Sequence, residues 1–172
     1  LHALADALKI DPLDDAAELA QCEAALTDAR TVIGDTPIAI DMLFHPRPLG
    51  LAKLLLESGF RVTEVYLDAV APEEEPALDW LRRNAPELEL SSIILPELRV
   101  ADRTRSEKTL AIGPKAAWFT GTAHFVNIVQ GGGLWGYAGI RSLCREMIDA
   151  YLAPKDTRDI VPRKGLGCFS CV

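Results

Sequence analysis

Apolar residues recur at two spacings along the chain, and the alternation between them predicts the architecture. In residues 14–33, Leu19, Cys22, Leu26, Ala29 and Ile33 fall three or four positions apart, with Glu18, Glu23, Asp28 and Arg30 between them. That is one apolar stripe on a helix. Residues 2–9 predict a shorter helix ended near Asp11-Pro12, and Gly34-Asp35 stops the longer one. TPIAIDMLF (36–44) is a short apolar run bounded by turn residues, hence a strand. A helix follows, with Pro48 in its first turn and Gly59 in the left-handed position after its last. RVTEVYLD (61–68) is the next strand, rich in β-branched and aromatic residues.

A third helix opens at Glu73-Glu74-Glu75-Pro76 and closes at Arg82-Arg83, acid first and base last, as the helix dipole favours. ELELSSIIL (87–95) gives a third strand and AAWFTG (116–121) a fourth; residues 96–113 read equally as a short helix or a basic loop. From about Tyr137, the series Ile140, Leu143, Cys144, Met147, Ile148, Tyr151 and Leu152 marks a long final helix. Strand–helix alternation of this kind implies βαβ units. The predicted fold is α/β: a Rossmann-like, mostly parallel sheet of about four to five strands with helices on both faces, plus an N-terminal helical segment. The predicted division is a helical lead-in (1–33), the α/β domain (34–153) and an irregular tail (154–172). Open sheets of this class place ligands beyond the carboxyl ends of their strands. The loops beginning near 43–48, 68–75 and 120–136 are therefore the places to look.

Composition narrows the function. The 172 residues are 49% hydrophobic and 25% charged, with a formal net charge of −7. That balance argues against nucleic acid or an anionic membrane as partner. No run of apolar residues is long enough to span a bilayer, and no signal-peptide pattern is present. Four cysteines, at 22, 144, 168 and 171, do not make a dense disulfide framework, so a cytoplasmic setting is expected. The chain begins with Leu, which suggests a processed product or a piece of something longer.

Neither a dinucleotide fingerprint nor a phosphate loop occurs. Gly131, Gly132 and Gly133 would present backbone N–H groups to an anion, or simply turn the chain; Leu134 and Trp135 are expected to bury ahead of the last helix. His45 follows the first strand, as metal ligand, proton carrier or plain polar surface. Asp41 lies inside that strand, reaching the sheet edge or satisfied by a neighbouring helix. His124 sits just past the expected fourth strand, among Thr120, Thr122 and Asn127, where a ligand would be presented. Its alternative is to fix the turn by bonding backbone. Cys168 and Cys171 form a CxxC, which supplies half of a tetrahedral zinc or iron site, a redox pair, or an inert tail. Cys22 and Cys144 stand on apolar helix faces and read as core.

Three phrases occur in a consistent order: PLGLAKLLLESGFRVTEVYLD (48–68), IGPKAAWFTG (112–121) and AAWFTGTAHFVNIVQGGGLWGYAGIRSL (116–143). Together they resemble the nitrogenase component 1 type oxidoreductase family over roughly residues 36–152. The resemblance is to the last of several similar α/β domains. It implies paired chains, an iron–sulfur cluster at the chain interface, and a larger metallocluster or a tetrapyrrole between domains. It also implies an ATP-hydrolysing iron–sulfur protein as electron donor. By the same resemblance His124, ahead of Gly136-Tyr137-Ala138-Gly139, stands in the region of a cofactor ligand, and Gly131, Gly132, Gly133 and Gly136 line the cofactor. The family's interface-cluster cysteines have no counterpart in residues 1–100, and the CxxC tail lies outside its pattern. Cys168 and Cys171 are the expected metal ligands. The expected function is a domain of a nitrogenase-like oxidoreductase in metallocofactor-dependent electron transfer. Its expected partner is a second component 1 type chain or another copy of itself. The alternatives are a non-catalytic scaffold for a cofactor, tetrapyrrole or partner protein, and an unrelated α/β enzyme using an anion at 131–133.

Overall fold

The apolar runs and stripes resolve into a five-stranded parallel sheet. The computed structural model of the chain describes residues 2–11, 14–100, 107–129 and 133–156. Helix α1 (His2–Leu8) and the long α2 (Ala16–Ile33) precede strand β1 (Ile38–Asp41). Helix α3 (Pro48–Glu57) leads to β2 (Val62–Leu67). A single 3-10 turn (Pro72–Glu74) and α4 (Glu75–Asn84) lead to β3 (Glu89–Ser92). The one-turn α5 (Glu97–Val100), β4 (Leu110–Ile112), α6 (Pro114–Thr120), β5 (Phe125–Val126) and α7 (Gly136–Leu152) complete the order. The strand order is β3-β2-β1-β4-β5, with every pair parallel.

Alternation along β1 divides the core into two layers. Ile38 and Ile40 face the larger layer with Leu26, Ala29, Ile33, Leu49, Leu55, Leu81, Leu143 and Met147, drawn from α2, α3, α4 and α7. Ala39 faces the smaller layer with Tyr66, Ala111, Ala116, Ala117, Phe119 and Phe125, which α6 closes. Helices thus cover both faces, as a parallel sheet requires. The helix stripe of residues 14–33 is the buried side of α2: Cys22, Leu26, Ala29 and Ile33 are buried, while Leu19 is exposed.

One element departs from the sequence reading. AAWFTG, expected as the fourth strand, is helix α6; the fourth strand is the shorter Leu110–Ile112 just before it. Pro114 at the start of α6 has no N–H to give a ladder, and Ala116 and Ala117 favour helix. The short apolar run AAWF imitates a strand, since a run of that length does not distinguish a buried strand from a buried helix. The β3 core is also shorter than the run 87–95, and the ambiguous stretch 96–113 holds both α5 and β4.

The order 3-2-1-4-5 reverses direction between β1 and β4. The chain leaves β1 toward α3 on one face and leaves β4 toward α6 on the other, which opens a crevice at the carboxyl ends of these two strands.

Candidate functional site

Two buried carboxylates organise the carboxyl edge of the sheet. Asp41 ends β1 and is fully buried. Its Oδ1 accepts the N–H groups of Leu43 (2.8 Å) and Phe44 (3.0 Å), and its Oδ2 accepts that of Ala116 (2.7 Å) in the first turn of α6. Burial pushes this carboxyl up to about 6, against the pull of the N–H donors. Gly113, at φ +113°, has no room for a side chain, because a Cβ there would overlap the Asp41 carboxylate. Of the two readings open for Asp41, satisfaction by a neighbouring helix is the one the structure displays. Glu74 is the second carboxylate. Its Oε1 accepts the N–H groups of Leu49 (2.8 Å) and Gly50 (3.0 Å), capping α3. At this edge both the switch-point crevice and the α3 terminus are therefore filled by the chain's own acids.

Beside them lies a cleft of about 310 Å³ between α3 and the start of α7. That is at the small end of the range for ligand sites, roughly 300–1,000 Å³. Phe44, Leu51, Leu54, Leu134, Ile140 and Leu143 make its walls. His45 and Arg47 come from the loop after β1, and Trp135 from the segment before α7. The His45 and Trp135 rings stand 6.1 Å apart, tilted by 60°. The Arg47 N–H donates to His45 Nδ1 at 3.1 Å, which leaves the ring proton on Nε2. Trp135 is 67% exposed, a correction to the expectation that it buries; Leu134 alone of the pair packs against the core.

Close backbone approach shapes the cleft. A Cβ at Gly139 would come within 2.5 Å of the Leu134 carbonyl carbon, so only glycine lets this segment lie on the first turn of α7. Gly133 (φ +85°) and Gly136 (φ +57°) turn the chain there. Tyr137 donates its hydroxyl to Asp15, and Arg141 pairs with Glu18 at 2.5 Å, binding the start of α7 to that of α2. The hydroxyl bond to Asp15 raises the Tyr137 pKa.

The residues singled out in the sequence separate in space. Gly136 lines the cleft and Gly133 lies three residues before it. Gly131, Gly132, Cys168 and Cys171 fall outside the described residues. His124 precedes β5, so it lies at the amino-terminal edge of the sheet, away from the cleft. Its Nδ1 lies 3.0 Å from the Ala150 carbonyl in the last turn of α7, and its ring faces Tyr151 at 6.4 Å. Lys108 donates to the Tyr151 carbonyl at 2.8 Å beside it. A polar hollow of about 320 Å³ lies here, lined by Glu107, Thr109, Thr122 and His124 among others. His124 followed a strand in the sequence reading because α6 was taken for that strand; with α6 a helix, the same residue comes before the next strand.

Cys22 and Cys144 are buried, as expected of core residues. The Cys22 thiol donates to the Tyr137 carbonyl at 3.3 Å, and burial pushes the Cys144 thiol up to about 11. A thiol held protonated is a poor metal ligand. Among the described residues, no three His, Cys, Asp or Glu side chains converge on a point that would hold a metal ion. These residues therefore do not fit an iron–sulfur cluster, whereas the cleft fits a body with an apolar face. Among them, too, no helix is long and apolar enough to cross a membrane. Sequence reasoning gave no role to Arg47, expected Trp135 to bury, and named Asn127 only as a neighbour of His124. Asn127, just past β5, has a buried Oδ1 with no hydrogen-bond partner. The signal available for the first two was position alone: one follows β1 and the other precedes a helix.

No family model and no curated protein sequence matches the chain. Among solved structures, it is similar in fold to a chain of nitrogenase Cp1 at pH 6.5, with a TM-score of 0.63 and 17% sequence identity. The match covers 88% of this chain and 36% of that one, so this chain spans about a third of its neighbour's length. The domain is nitrogenase-like in fold.

Proposed function

We propose that the chain is a cofactor-holding domain of a nitrogenase-like oxidoreductase assembly, and that its own task is to bind and position. The observation that carries this reading is the cleft between α3 and α7, with apolar walls and His45, Arg47 and exposed Trp135 beside one another in its lining. Such walls suit a flat, largely apolar body, and a guanidinium with an imidazole N–H suits its anionic edge. A tetrapyrrole, or the organic part of a metallocofactor, has that chemistry. When bound, it supplies the electron chemistry itself. Arg47 holds its acidic edge, Trp135 stacks on its face, and Leu51, Leu54 and Ile140 keep water from it. His124 has a structural part in this reading, closing the last turn of α7 at the other edge.

The likeness in fold, and the fraction of its neighbour that the chain spans, support a larger assembly. Within it the partner is a second component 1 type chain or another copy of this one, supplied with electrons by an ATP-dependent iron–sulfur reductase. Cys168 and Cys171 contribute half of a cluster site that a partner chain completes. A scaffold that holds the cofactor without transferring electrons is the second reading. It is favoured by the lack of a converging ligand set among the described residues.

Anaerobic purification followed by iron, sulfide and visible-absorption analysis separates the two. Iron and sulfide lost on changing Cys168 and Cys171 to Ser support electron transfer. Iron-free protein that binds iron protoporphyrin IX in a 1:1 titration, weakened by Arg47→Ala and Trp135→Ala, supports the scaffold. A colourless protein with no saturable binding overturns both.

A further inference from the structure

Asp41 lies where β1 and β4 part, on the face of the sheet that α6 covers. Two of its three close donors, Leu43 and Phe44, belong to the loop that goes on to present His45 and Arg47 to the cleft. The third, Ala116, belongs to α6, 75 positions further along. Phe44 is itself a wall of the cleft. One carboxylate therefore ties a cleft-forming loop to a helix on the opposite face, and Gly113, having no side chain, leaves it the space it occupies.

We propose that Asp41 is a positioning residue for the cleft: its ionised carboxylate fixes the 42–47 loop against α6, and its protonation releases that anchor and weakens ligand binding. The proposal rests on the cleft being the ligand site. Oδ1 accepts from Leu43 and Phe44 and Oδ2 from Ala116, so the link to α6 runs through Oδ2. A hydroxyl oxygen at that position is a weaker acceptor for the Ala116 N–H than a carboxylate oxygen.

Four backbone N–H groups, of Ala116, Phe44, Leu43 and Lys115, oppose the effect of burial on this carboxyl, and no charged side chain is among the influences on it. The titratable or charged groups on the surrounding elements are Glu64 and Tyr66 on β2, Lys115 on α6, and His45 and Arg47 on the loop. Tyr66 is the register partner of Asp41 on β2, and its hydroxyl donates to Glu64. Lys115 is the second residue of α6. His45, a second ionisable side chain, lies on the tethered loop itself and lines the cleft. The test therefore removes it.

The test is a carbon-13 and nitrogen-15 NMR titration of ligand-free His45→Gln protein from pH 4.5 to 8. The expected result is an Asp41 carboxyl midpoint between about 5 and 7. The amides of Leu43, Phe44 and Ala116 and the Trp135 indole are expected to move with that midpoint. In the same His45→Gln background, affinity for iron protoporphyrin IX is expected to fall about tenfold from pH 7.5 to 5, and the added Asp41→Asn change to make it weak and independent of pH. A Trp135 indole that ignores the Asp41 titration overturns the positioning role. Coupled resonances without probe binding at any pH uphold the tether and overturn the ligand reading instead, so the two failures are distinct.

Discussion

Glu74 Oε1 receives the N–H of Leu49 at 2.8 Å, so a carboxylate at the start of one helix caps another 25 positions earlier in the chain. From sequence, the acids at 73–75 read as complements to the dipole of their own helix. Glu74 instead lies 2% exposed and serves α3, which has no capping side chain of its own. Glu74→Ala is expected to destabilise the domain by about 2–3 kcal/mol, since two donors lose their acceptor in a buried place. Glu74→Gln, which keeps an acceptor oxygen, is expected to cost less than half of that. Urea denaturation of the two variants checks the difference; equal losses would remove the capping role.

Gly113→Ala is expected to be among the costliest single changes in the domain, at about 3 kcal/mol or more. The added carbon overlaps the Asp41 carboxylate, and the backbone at φ +113° strains any side chain. A thermal midpoint within a degree or two of wild type would contradict the close approach.

Asp41 makes stability depend on pH in an unusual direction for an acid. Its folded value of about 6 lies above the ordinary 3.8. The neutral form is thus favoured by folding. Its stabilising contribution is full below the unfolded value and is lost as pH rises through the folded one. Relative to Asp41→Asn, the wild type is expected to lose on the order of 2–3 kcal/mol between pH 4 and pH 7, at about 1.36 kcal/mol per unit. Denaturation curves of both proteins at several pH values provide the check. A wild type that gains stability relative to Asp41→Asn as pH rises would reverse the assignment. The ionised form that holds the loop is then the less stable one, a common cost of a fixed site.

Gly139→Ala is expected to push the segment at Leu134 off α7, costing about 1–3 kcal/mol. It also widens the cleft, so affinity for iron protoporphyrin IX is expected to fall by more than stability alone explains. Comparing folded fraction with binding in the same samples separates the effects.

Cys144 is expected to resist iodoacetamide in the folded protein at pH 8, because burial keeps its thiol protonated and covered. Peptide mapping after brief alkylation, with and without urea, reads this out. Ready modification of Cys144 in the native state would show that the α2–α7 contact opens easily.

Much of the fold was legible because period and punctuation agreed. The α2 stripe, Pro48 and Gly59 around α3, and the run from Ile140 to Leu152 each gave both an element and its ends. AAWFTG misled because it begins with four consecutive apolar residues and, at six residues, is too short to display a period. The cleft was half legible: the loop after β1 and the glycine–aromatic segment were both marked, but their meeting was not. Nothing local encodes that His45 faces Trp135, 90 positions away, or that Asp41 bonds Ala116. Placing His124 depended on counting strands, so one misread element moved it from one edge of the sheet to the other.

The side-by-side packing of α2 and α7 also sets a timetable for synthesis. Bonds such as Arg141 to Glu18 span 123 positions, and Leu26, Ala29 and Ile33 share a layer with Leu143 and Met147. As the nascent chain emerges, α2 comes out before the helix that covers it. Its apolar side waits for almost the whole domain to be translated, and through that interval it is the segment most in need of a chaperone.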